Sequence, residues 1–153
     1  MRIFEVGIIR NEAVVFLDEY YNGKRNEHEI QDKEIFRGAL INLAKREIEY
    51  TDELKSFEIF NYHVSMIGKK NGNKSKFIFY LISDVNLDLN MKKNKLNQII
   101  SEFFKSFPPP RCYNPNTEIF NKFLDNTNKI VGDLGIDAPD RLIHAWGINH
   151  QKR

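Results

Sequence analysis

Apolar and polar positions over residues 1–107 follow a fixed order: two apolar runs, an amphipathic stretch, three further runs and a second amphipathic stretch. Ile3-Phe4-Glu5-Val6-Gly7-Ile8-Ile9 is nearly all apolar and rich in β-branched residues, which predicts a central strand covered on both faces. Arg10-Asn11-Glu12 reads as a short turn, and Ala13–Leu17 as a second strand closing an antiparallel hairpin. Asp18 to Lys33 is polar and reads as an exposed loop. Leu54–Phe60 is a third strand, with Phe57 and Ile59 on one face and Glu58 on the other. Asn61-Tyr62 is expected to turn the chain into a fourth strand, His63–Gly68. Asn71-Gly72 then marks a hairpin, because both turn positions tolerate positive φ. The fifth strand, Lys76–Ile82, is again apolar on both faces and so central.

The first helix is expected from about Gln31 to Tyr50, with Asp32 as N-cap and Glu34 at the positive end of the dipole. At 100° per residue, Phe36, Ala39, Leu40, Leu43, Ala44 and Tyr50 share one face. Ile41 and Ile48 fall beyond it, seven residues apart and about 20° from each other. They either widen the footprint on the sheet or form a second apolar strip. The second helix, Lys92 to Phe107, carries Leu96, Ile99, Ile100, Phe103 and Phe107 on one stripe. Pro108-Pro109-Pro110 stops it. Thr117 is placed to cap a third helix bearing Ile119, Phe120, Phe123, Leu124, Ile130, Val131 and Leu134, ending at Gly132 or Gly135. A short last helix from Asp137 or Pro139 would carry Leu142, Ile143 and Trp146. The expected fold is α+β: residues 1–135 form one domain and 136–153 a C-terminal helical extension.

Charge changes this picture little. The chain has 23 Lys and Arg against 21 Asp and Glu, net +2, with both signs scattered. Lys69, Lys70, Lys74 and Lys76 crowd the Asn71-Gly72 turn, where they keep a hairpin tip soluble rather than form a polyanion-binding stripe. The aromatics occupy regular core positions, so no nucleic-acid surface is expected. The single cysteine, Cys112, excludes an internal disulfide and fits a reducing cytosol. The N-terminal apolar run is too short for a signal peptide, and no stretch approaches the ~20 apolar residues that span a bilayer. A cytoplasmic protein without an integral membrane segment is the expectation.

Candidate chemistry is sparse. His28, His63, His144 and His150 fall on four different segments with no pair at ligand spacing, so no metal site is expected. Neither GxxxxGK[ST] nor GxGxxG occurs, and Cys112 has no base beside it in the sequence. No catalytic set and no cofactor are expected.

The element order over Arg2 to Leu134, ββαβββαα, resembles the longin domain of the longin and roadblock superfamily, in a form common among archaeal proteins. Beginning on a strand favours the longin form over roadblock, which places a helix first. The resemblance implies a longin/profilin-like five-stranded antiparallel sheet ordered 2-1-5-4-3 with helices on both faces. The continuous apolar runs of the first and fifth strands agree with it. It also implies a non-enzymatic adaptor for a small Ras-like GTPase or another longin or roadblock subunit, in trafficking or regulatory assemblies, with a homodimer as one option. The surface implied surrounds the first helix and the following strand, which maps to Ile41, Lys45, Ile48, Phe57, Ile59 and Phe60. No heptad segment or membrane anchor follows the domain, unlike the fusion-type longins. A PAS- or GAF-type small-ligand sensor is the alternative, and it would require a core cavity with polar groups.

Overall fold

Strand β1 (Ile3–Arg10) lies near the centre of the sheet because nearly every side chain on it is buried. It pairs antiparallel with β2 (Ala13–Glu19) on one side and β5 (Ser75–Ser83) on the other. β4 (Tyr62–Asn71) pairs with β5, and β3 (Leu54–Ile59) pairs with β4 at the far edge. The order is β2-β1-β5-β4-β3, all antiparallel, as the resemblance implies, with β1 and β5 at the centre as their apolar runs predict. The structure, a computed structural model, describes residues 2–20, 33–71, 75–107 and 117–136. The predicted caps and termini at Gln31 and Asp32, the Gly72 turn position, Cys112 and the last helix lie outside them.

Two-residue turns join the outer hairpins. Asn11 and Glu12 have φ of 53° and 61°, and Phe60 and Asn61 have φ of 49° and 72°. Positive φ at both central positions is the turn form whose twist matches paired strands. The β3–β4 turn therefore falls one residue earlier than Asn61-Tyr62, and Tyr62 opens β4. Phe60 leaves the strand and occupies a backbone region that a bulky side chain adopts only under strain.

Helix α1 (Lys33–Glu47) covers one face of the sheet, while α2 (Leu89–Ser106) and α3 (Thr117–Val131) cover the other. On the α2–α3 face Phe103 sits among Phe77, Phe79, Phe104, Phe107 and Phe123 at ring separations of 5.1–5.5 Å. Phe16 of β2 continues the stack onto Phe123 at 4.7 Å. Edge-on packing at such distances adds about 0.5–1.5 kcal/mol per pair beyond burial. α3 ends at Val131, where Gly132 takes φ +58°, the left-handed cap that glycine adopts without penalty. A 3₁₀ turn, Gly132–Gly135, follows and packs against the Tyr20 ring. No described helix is long and apolar enough to cross a membrane.

Candidate functional site: the crevice between the first helix and the edge strand

Residues four apart on a helix form rows, and the rows of α1 face different parts of the sheet. The row Phe36, Leu40, Ala44 is buried. The row Arg37, Ile41, Lys45 faces β1 and β2, since Arg37 Nη2 donates to Glu5 Oε1 at 3.0 Å and Glu19 Oε2 at 2.7 Å. Lys45 Nζ lies 3.4 Å from Glu12 Oε2 in the β1–β2 turn. By helical geometry the opposite flank, Ile35, Ala39 and Leu43, faces the β4–β3 side. Ala39 and Leu43 are half-buried there, whereas Ile35 is 61% exposed.

Across from that flank stands β3, whose outer edge pairs with no strand among the described residues. Phe57 and Ile59 are half-buried on the α1 side of β3. Phe60, 61% exposed at the turn, lies 6.2 Å from the Phe36 ring. Phe36 and Phe4 both pack on Tyr62, at 6.0 and 5.7 Å, and so fix the floor beneath Phe60. The result is an apolar crevice between a helix flank and an unpaired strand edge.

Of the six residues expected to form the binding surface, Phe57, Ile59 and Phe60 meet at this crevice. Ile41 and Lys45 do not join them, because their row points to the opposite edge of the sheet. Ile48 requires a firmer correction: it is 7% exposed and belongs to the core. The helix ends at Glu47, the Ile48 amide still donates to the Ala44 carbonyl at 3.1 Å, and the side chain continues the buried Phe36–Leu40–Ala44 row. It abuts β4 so closely that a Cβ on Gly68 would stand 2.9 Å from Ile48 Cγ2. Of the two readings of Ile41 and Ile48, the wider core footprint is therefore correct. Ile35 and Leu43 carry the exposed flank instead. Their signal was the spacing of eight residues, which matches the Phe36–Ala44 row shifted by one position.

A buried polar network sets the orientation of α1 over this crevice. Glu5, 0% exposed, accepts a hydrogen bond from Tyr80 Oη at 2.6 Å as well as from Arg37. Gly7 makes this possible, since a Cβ there would lie 2.3 Å from the Tyr80 ring. Burial, then the Glu5 charge, pushes the Tyr80 hydroxyl well above its usual range. At Glu19 burial acts upward, but hydrogen bonds from Arg37 and Lys33 outweigh it and hold the carboxyl below its usual value. Sequence reasoning passed over Glu5 because it sits inside an otherwise apolar run.

A second concavity is an open cleft of about 650 Å³ between α2 and α3, lined by Lys105, Lys122 and Lys129 together with Glu102 and Asn126. Among the described residues no group of three His, Cys, Asp or Glu side chains is placed to hold a metal ion. Comparison of the chain with family models and with curated protein sequences gives no match.

Proposed function

We propose that this protein is a non-enzymatic interaction module of the longin type, which docks a protein partner in the crevice between α1 and β3. The observation that carries this reading is the pairing of exposed apolar side chains, Ile35 and Phe60, with a strand edge that no strand among the described residues pairs. An unpaired edge offers backbone donors and acceptors to an added strand, and the apolar flank supplies the side-chain pockets that give specificity. Phe60 is a rigid aromatic anchor of the kind that dominates binding energy. The sheet order and the placement of helices on both faces also support the longin reading.

The partner class is a small Ras-like GTPase or another longin or roadblock subunit. Titration calorimetry against a Ras-like GTPase from the same cell, loaded with GDP or a GTP analogue, tests it together with candidate longin-type subunits. Phe60→Asp and Ile35→Asp are each expected to weaken binding about thirtyfold, roughly 2 kcal/mol, with the melting temperature unchanged. Absence of binding to every partner of these classes, or binding indifferent to both substitutions, sinks the proposal.

A further inference from the structure

We infer that the cleft between α2 and α3 is a binding site for a ligand carrying several phosphate groups, held by Lys105, Lys122 and Lys129. Both helices cover the face of the sheet opposite α1, so the cleft stands apart from the crevice of the proposed function.

Two helix stripes build it. On α3, Ile119, Lys122, Asn126 and Lys129 recur at alternating steps of three and four, beside the buried stripe of Phe123, Thr127 and Val131. On α2, Glu102, Lys105 and Ser106 follow the same spacing next to buried Phe103. Beneath the cleft the rings of Phe103 and Phe123 meet at 5.5 Å. Hydrogen bonds tie the two walls: Lys95 Nζ donates to the Ile130 carbonyl at 2.6 Å, and Asn126 Nδ2 to Glu102 Oε2 at 2.8 Å. The cleft is therefore preformed. Its volume of about 650 Å³ lies within the roughly 300–1,000 Å³ of small-molecule sites.

Its charge is one-sided. Three ammonium groups line it against one carboxylate, a surplus of two, which equals the net charge of all 153 residues. Among the described residues, Lys105, Lys122 and Lys129 make no hydrogen bond, ion pair or ring contact. Other lysines are engaged: Lys45 by Glu12, Lys69 by Asp52 and Lys76 by the Tyr50 ring. Glu102, the opposing carboxylate, is already held by Asn126. The donor set favours phosphate over carboxylate. No arginine among the described residues lines the cleft to grip a planar carboxylate, whereas separate ammonium groups and the Ser106 hydroxyl match the tetrahedral spread of phosphate oxygens. Ile119 and Ile130 give the carbon frame of such a ligand an apolar surface to rest on.

Two probes test the site and separate a free ligand from a lipid headgroup. One is inorganic tripolyphosphate, titrated into the full chain by calorimetry. The other is co-sedimentation with phosphatidylcholine vesicles bearing a bisphosphorylated phosphatidylinositol. Saturable binding to at least one is expected; capture by vesicles alone would assign the headgroup. Lys122→Gln with Lys129→Gln should weaken binding about tenfold or more, with the melting temperature unchanged. Lys45→Gln with Arg46→Gln removes the same charge from α1 and should leave affinity within about twofold at roughly 0.15 M salt, where distant charges are screened. Absence of binding to both probes overturns the inference. So does binding that ignores the α3 substitutions or falls equally with the α1 pair, and so does an oligoglutamate peptide held as tightly as tripolyphosphate. None of these readings depends on partner binding at Phe60.

Discussion

On the α2–α3 face of the sheet, phenylalanine rings meet phenylalanine rings around Phe103, whereas the α1 face carries a carboxylate, Glu5, at full burial. Both faces cover the same two central strands. The first is packed through apolar rings, and hydrogen bonds on its side join its two helices, from Lys95 to the Ile130 carbonyl and from Asn126 to Glu102. The second adds directional contacts to its apolar core: Arg37 to Glu5 and Glu19, and Tyr80 to Glu5. α1 is tied by hydrogen bonds to β1 and β2 through Arg37, and at its C-terminal end to β3, where Lys55 Nζ donates to the Glu47 carbonyl at 3.1 Å.

The largest effect that would test this contrast is Phe103→Ala. It should cost about 3–5 kcal/mol in chemical denaturation, since the surrounding rings relax only partly into the cavity. A loss below about 1 kcal/mol would mean that this face is loosely packed. Arg37→Met comes next, at about 3 kcal/mol, because it strands the Glu5 charge under the helix. Adding Glu5→Gln should recover most of that loss, and a double variant no better than the single would show that the two groups are not coupled.

How much of this was legible beforehand differs between the faces. That β1 and β5 are central could be read because both are apolar on both sides, whereas the full order came from the resemblance of the element order to the longin domain. The flank of α1 that meets β3 could not. A helical wheel gives angles between residues, and the direction of the whole wheel is set by Arg37 reaching Glu5 and Glu19, residues more than fifteen positions away. Ile41 and Lys45 therefore lie on the β1–β2 side of α1, while Phe57, Ile59 and Phe60, tied to the strand itself, lie together at the β3 edge. The β3–β4 turn was misjudged by one residue for another reason: bulky Phe60 is a poor candidate for positive φ, and only the pairing of Ile59 with Tyr62 requires it there.

A smaller effect concerns pH. The Glu19 carboxyl sits below its usual value in the folded protein, so its contribution is present above about pH 4.5 and is lost as pH falls through the folded value. Tyr80 has the opposite sense: its hydroxyl is raised, so its contribution holds below about pH 10 and fades as alkali ionises the unfolded chain first. Denaturation midpoints across pH should fall at both ends, and Glu19→Gln should flatten the acid limb alone. An unchanged acid limb in that variant would remove Glu19 from the network. The smallest effect is expected at Phe60→Gly, a gain of about 0.5–1 kcal/mol from relief of the positive φ. A loss instead would mean that the ring contact with Phe36 outweighs the backbone strain.

One detail of β1 reaches further than its size. Between Ile3, opposite Ser83, and Glu5, opposite Ile82, the strand carries one residue more than its neighbour, and that residue is Phe4. The bulge turns Phe4 toward the same side as Glu5, where strict alternation would have sent it to the other. An inserted residue thus changes permittivity as well as register, because it adds a ring to the face where a carboxylate needs shelter from water. In a drier setting the same pair of charges attracts more strongly. The hold that Glu5 has on α1 through Arg37 depends, in that sense, on a surplus residue near the start of the first strand.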